Sequence, residues 1–328
     1  MEVKKVMIFL LILFAPAGYC LITQDLQSSS SNVEVPSISS VRKGDIQEPF
    51  GYVELQEPTI TKAEKLPDEQ VVEKVIEEDI TPSFTTGVRG LFELQDELES
   101  MISYFPGWYS IYVKNLDTNE YLSINNEQRH PASLLKLFNM AYVFATVESG
   151  QMTKTPQIEH WNQMQIVVSC NDSYNHLLVV LGDGDAVLGA RRTTDFIHRQ
   201  GYLETVVGGT LHPSSFDERL AFASYVTTVR DVGHLLEDIY RGTLVSPEAS
   251  AEMLAILKAQ ERLNKIPAGL PYGTISASKT GEVFSYEHDA AIVFSEGANY
   301  IIVIMSSEDY AAIANIIWLS RVVYQYFN

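Results

Sequence analysis

The placement of the strand-like stretches constrains the fold most: a pair lies near residue 110, the others lie near the C terminus, and helical patterns fill the sequence between. Trp108-Tyr109-Ser110-Ile111-Tyr112-Val113-Lys114 alternates as a strand does, Asp117-Thr118-Asn119 turns, and Tyr121-Leu122-Ser123-Ile124 returns as its hairpin partner. Gly273-Thr274-Ile275-Ser276-Ala277-Ser278-Lys279, Asp289-Ala290-Ala291-Ile292-Val293-Phe294 and Tyr300-Ile301-Ile302-Val303-Ile304-Met305 supply the later strands, with a turn at Glu296-Gly297-Ala298-Asn299. Strands that open and close one folded unit bury their edges best by sharing a sheet. The expected class is therefore α/β (α+β), a mixed antiparallel sheet built from N- and C-terminal strands with a helical subdomain inserted.

Helical patterning frames that sheet. Leu91, Leu94, Leu98 and Met101 fall on one face of a helix that Pro106-Gly107 stops. A helix from Tyr174 to Leu181, another from Thr228 to Tyr240, and a third opened by Ser246-Pro247-Glu248 follow, the last with a serine cap and proline in its first turn. Leu181-Gly182-Asp183-Gly184-Asp185 has the look of a calcium loop but lacks its other oxygen ligands, which leaves a turn with Asp185 as a helix cap. A terminal helix from Asp309 to Tyr326 is expected to turn Ile313, Ile317 and Val323 inward.

The first 86 residues read differently. Met1-Glu2-Val3-Lys4-Lys5, an apolar run from Val6 to Ala15, and Ala15-Pro16-Ala17 have the order of a secretory signal, which places the protein outside the cell or on the outer face of its membrane or wall. Residues 18–86 form an acidic, Ser- and Pro-containing stretch that buries too little to order itself, either a spacer from the envelope or a solubilising tail. Cys20 invites a lipid anchor, although it follows Tyr19 rather than a small residue. With Cys170 the only other cysteine, there is no disulfide framework, and the domain from 87 to 328 depends on its core. A formal net charge of -19 excludes nucleic acid as a partner.

Chemistry enters at Pro131-Ala132-Ser133-Leu134-Leu135-Lys136, at the head of the apolar run from Leu137 to Ala145. On a helix, Ser133 and Lys136 sit one turn apart on one face. A lysine desolvated by apolar neighbours can lose its charge and accept the serine proton, which makes a nucleophile without histidine. The same tetrapeptide also fits a buried amphipathic helix with a capping serine. The seven histidines lack zinc-ligand spacing.

Two further tripeptides change the weight of that pair. Ser169-Cys170-Asn171 and then Lys279-Thr280-Gly281 follow Ser133-x-x-Lys136, in that order and in the contexts of helix start, helix-helix turn and strand. The set resembles that of the penicillin-recognising serine acyl-enzymes, the class A beta-lactamase-like branch, with S-x-x-K, S-D-N and K-T-G. The resemblance covers roughly Val88 to Phe327. It implies Ser133 as nucleophile, Lys136 as its base, Ser169 as proton donor to the leaving nitrogen, and Asn171 as a holder of Lys136 and of the substrate's acyl-side amide. It further implies that Lys279 and Thr280 bind the substrate carboxylate, that Lys279 polarises Ser169, that Gly281 leaves room for substrate backbone, and that the N–H groups of Ser133 and Glu282 form the oxyanion hole. The implied substrate is a beta-lactam or a peptidoglycan stem peptide, the protein a monomer, and no metal or organic cofactor is needed.

Two departures qualify the resemblance. Cys170 stands where the family usually has aspartate, which predicts local repacking. The family's E-x-x-L-N loop, whose glutamate activates the deacylating water, is missing upstream of Thr227-Thr228; His212 falls near that position, and Glu204 and Glu218 lie elsewhere in the loop. Deacylation is then slow or uses Lys136, which leaves three readings open: a beta-lactamase, a D-alanyl peptidase or penicillin-binding protein, and a surface-tethered binding or sensory domain.

Overall fold

A computed structural model of the chain describes residues 90–211, 225–307 and 311–328. The expected secretory signal of residues 1–17, the acidic stretch with Cys20, and His212 and Glu218 lie outside the described residues. Helix α1 (Leu91–Ile102) leads into strands β1 (Trp108–Asn115) and β2 (Tyr121–Ile124). Then come helices α2 (Leu135–Glu148), α3 (Pro156–Val167), α4 (Asn171–Leu181), α5 (Ala186–Arg199), α6 (Val229–Arg241) and α7 (Pro247–Lys258). Strands β3 (Ile275–Val283), β4 (Tyr286–Phe294) and β5 (Tyr300–Ser307) and helix α8 (Ala312–Phe327) complete the chain.

The strands form one sheet in the order β2-β1-β5-β4-β3, antiparallel at every junction. The first hairpin therefore joins the last strands, as strands at both ends of a domain require. Both faces are covered. Tyr109, Ile111, Val113, Ile302 and Ile304 face α1 and α8, while Tyr112, Ile301, Val303 and Met305 face the helices from α2 to α7. Double coverage explains why β4 and β5 read as continuous apolar runs rather than alternating ones.

Local signals place most element ends. Thr155 Oγ1 accepts from the Ile158 N–H at the start of α3, Asp185 from Val187 and Leu188 at α5, Thr228 from Asp231 at α6, and Ser246 from Ala249 at α7. Helix α4 begins at Asn171, three residues before the expected Tyr174, because Cys170 already takes the extended capping conformation. Strand β3 runs past Lys279 to Val283, held by the β4 register to Tyr286. In α8 the inward stripe is Ala312, Ile316, Leu319 and Val323. Ile313 and Ile317 are only partly buried, so the expected face is corrected by about one residue: Ala312 heads the stripe, and the spacings of three and four continue from it.

Candidate active site

Ser133 does not open a regular α-helix. It sits in a 3-10 turn, Ala132–Leu134, closed by the Leu134 N–H on the Pro131 carbonyl at 3.0 Å, and α2 follows directly. The three-residue offset to Lys136 still brings the two side chains together: Nζ of Lys136 is 3.2 Å from Oγ of Ser133. Ser169 sits at the corner between α3 and α4 with φ 60°, a left-handed conformation that is costly for a non-glycine residue. That corner aims both its carbonyl and its hydroxyl at Lys136, at 2.7 and 3.3 Å. Asn171, in the first turn of α4, contributes Oδ1 at 2.6 Å. Lys279 reaches from β3 to the Ser169 hydroxyl at 2.9 Å and to the Thr280 carbonyl at 2.7 Å.

Lys136 is fully buried, and burial lowers its pKa to about 7; the Arg262 guanidinium pushes the same way and Cys170 opposes it. Lys279, also fully buried, is driven well below the ordinary lysine range by burial and then by the charge of Lys136. Two ammonium groups flanking one hydroxyl repel each other, which favours a neutral member of the pair. In its neutral form Lys136 has two N–H bonds and a lone pair. The Ser169 carbonyl and Asn171 Oδ1 can only accept and lie nearest, so they take the two N–H bonds. The lone pair is left for a hydroxyl proton, from Ser133 or Ser169.

The remaining motif residues divide by role. Thr280 is buried and offers its carbonyl to Lys279. Gly281 abuts the Ser133 turn: a Cβ there would lie 3.2 Å from the Pro131 carbonyl oxygen and 3.3 Å from the Ala132 methyl. With the His288 Cβ also 3.2 Å from that position, the small residue lets β3 pack closely against the turn. The Glu282 side chain turns to Lys265 and Arg262, at 3.1 and 3.3 Å. Burial raises the Glu282 pKa, but those cations outweigh it and leave the carboxyl below its usual range. Glu204 accepts from Asn126 and Thr228, which makes it a brace for the start of α6. Cys170 is buried with a free thiol, and its main-chain N–H donates to the Met164 carbonyl at the corner that holds Ser169 and Asn171 on Lys136.

Sequence reasoning missed several supports. Gln260 bridges the Ile166 and Ser278 carbonyls, tying the end of α3 to β3. Lys265, fully buried, donates to the Gly281 and His288 carbonyls and pairs with Glu282 and Glu287. Asp289 accepts from Ile266 and Ala290, and burial raises its pKa to about 7. His130 and His288 meet at 2.9 Å although far apart in sequence. Of these only His288 and Asp289, polar residues within the β4 run, stood out in the sequence.

Among curated proteins no match was found. Among solved structures, PBP-A superposes with a TM-score of 0.64 at 24% identity, covering 73% of this chain and 97% of its own. A PBP-A mutant in an acyl-enzyme complex with penicillin G gives 0.63 at 23% identity, with 74% and 99% covered. A beta-lactamase from Sphaerobacter thermophilus gives 0.62 at 17%, with 73% and 98% covered. At these identities the likeness concerns the fold. The family model described as the beta-lactamase enzyme family matches residues 93–169 and 157–327. With most of the folded sequence accounted for in this way, the chain belongs to the beta-lactamase enzyme family.

Proposed function

We propose that the protein is a serine acyl-enzyme hydrolase that opens the amide of a beta-lactam or a D-alanyl peptide through Ser133. The observation that carries this reading is the environment of Lys136, whose amine is buried, held by two obligate acceptors at 2.6 and 2.7 Å, and 3.2 Å from the Ser133 hydroxyl. The Ser133 proton passes to Nζ of Lys136 while Oγ bonds to the amide carbon, and the carbonyl oxygen becomes the oxyanion. The N–H groups of Ser133 and Glu282 are assigned to that oxyanion, and Lys279 with Thr280 to the substrate carboxylate. As the C–N bond breaks, Ser169 gives its hydroxyl proton to the nitrogen and recovers one from a neighbouring lysine. Water then cleaves the ester and frees Ser133.

A second reading differs in the last step: a D-alanyl peptidase or penicillin-binding protein that deacylates slowly. The missing E-x-x-L-N sequence favours it, as does the likeness to a PBP-A mutant held as an acyl-enzyme with penicillin G. The leader-like residues 1–17 support placing either enzyme outside the membrane, where such substrates lie. Intact mass followed over time with penicillin G, together with the drug remaining in solution, tests both readings. A single drug adduct on the wild type and none on Ser133→Ala is the expected result. A persistent adduct marks slow deacylation, and a brief adduct with the drug consumed marks a beta-lactamase. An adduct on both proteins, or on neither, overturns the assignment of Ser133, and reversible binding alone would point to the sensory reading.

A further inference from the structure

The turn that carries Ser133 is held in an unfavourable conformation by two histidines outside the three motifs. Ala132 has φ 48°, a left-handed conformation that is unfavourable for a residue with a Cβ. Its N–H donates to Nδ1 of His130 at 3.1 Å, so that nitrogen is unprotonated and the ring proton sits on Nε2. The His130 carbonyl lies 2.9 Å from Nε2 of His288, whose Nδ1 accepts the N–H of Ser306 at 3.1 Å. A main-chain N–H can only donate, so the His288 proton is on Nε2 and points at the His130 carbonyl. His288 is fully buried on β4 and Ser306 fully buried on β5. A line of hydrogen bonds therefore runs from the middle of the sheet to the N–H of Ala132, the residue before Ser133. The His130 ring is fixed as well, stacked on Tyr286 with centroids 5.6 Å apart and planes 11° apart, and 5.9 Å from Tyr225.

We propose that His130 and His288 are positioning residues for acylation: His288 fixes the His130 main chain, and the His130 ring holds Ala132 in the conformation that aims Ser133. The inference rests on the reading of Ser133 as nucleophile. A main-chain N–H bonded to a neutral ring nitrogen makes the arrangement sensitive to acid, because a charged imidazole has no acceptor. The groups facing the His130 ring are Tyr286 and His288 from β4 and Tyr225 from the segment entering α6, with Arg129 beside it in the chain and stacked over Trp108. Burial lowers the His130 pKa from its ordinary value, so the Ala132 bond breaks at more acid pH than the ordinary histidine range.

Two variants separate the acceptor from the ring. Asn places an oxygen near the position of Nδ1 without the aromatic ring, and Phe keeps a ring without the acceptor. Stopped-flow acylation of the full chain by penicillin yields a rate constant and a Kd for the wild type, His130→Asn and His130→Phe. The expected result is a fall of at least about tenfold in the rate constant for His130→Phe, as misplacement of a reacting group produces, with Kd changed by less than about threefold. His130→Asn is expected to stay within about threefold of wild type, and its rate to fall in acid with one proton where the wild type falls with a second. Equal losses in both variants would mean that ring packing matters rather than the acceptor, and wild-type rates in both would mean that neither does; each overturns the positioning role. A wild type that forms no adduct would overturn the Ser133 assignment itself and this inference with it.

Discussion

Replacing Lys136 by methionine lowers the rate constant for penicillin acylation by about 10²–10⁴-fold, the usual contribution of a positioned base, and changes the Kd by less than about threefold. The asymmetry follows from the geometry. Lys136 is fully buried beneath Ser133, and its partners are Ser133, Ser169 and Asn171 of the protein itself, so little of its interaction energy goes to the bound ground state. Methionine keeps the length and removes the nitrogen that donates to the Ser169 carbonyl and to Asn171 Oδ1. Rapid-mixing measurement across penicillin concentrations separates the two parameters. A rate constant within threefold of wild type would show that another group takes the Ser133 proton.

The second large effect concerns stability. Lys265→Met is expected to cost about 3–5 kcal/mol, because removing one partner from a buried ion pair leaves Glu287 uncompensated, while Glu282 keeps only Arg262. Lys265 has no exposed surface, lies 2.6 Å from Glu287 and 3.1 Å from Glu282, and donates to the carbonyls of Gly281 and His288. Its loss leaves two carboxylates near each other at the end of the β3-β4 hairpin, whose side chains are only 25% and 17% exposed. For a folded unit of this size the shift in Tm is on the order of 10 °C. Thermal unfolding of Lys265→Met and of Lys265→Met with Glu287→Gln checks the cause. The added Gln removes one orphaned charge and is expected to recover part of the loss, whereas an unchanged or further lowered Tm would assign the cost to packing.

Local chemistry made much of this legible before any coordinates. The hairpin after Gly107 carried its own turn residues, and Asp185 and Ser246 stood where caps must stand. What could not be read depended on partners distant in sequence. Nothing local in the sequence marks Lys265 and Glu287 as partners, since only the fold removes water from both. His130 and His288 carried no metal spacing, and their pairing through a main-chain carbonyl leaves no pattern in the sequence. The close approach of Gly281 to Pro131, Ala132 and His288 likewise joins segments distant in sequence and leaves no local pattern. The inward face of α8 slipped by a residue for a related reason: Ile313, Ile316 and Ile317 are alike in sequence, and the packing surface alone chooses among them.

The central claim is that a buried, neutral lysine makes Ser133 reactive, and the pH dependence of acylation tests it most directly. With the Lys136 pKa lowered to about 7, the amine is uncharged above that pH and protonated below it. The acylation rate constant should therefore rise roughly tenfold per pH unit in mildly acid solution, bend near neutrality and level off above it. A bend displaced toward the ordinary lysine range, or a rate independent of pH between about 5 and 9, would show that the Lys136 amine is not the base.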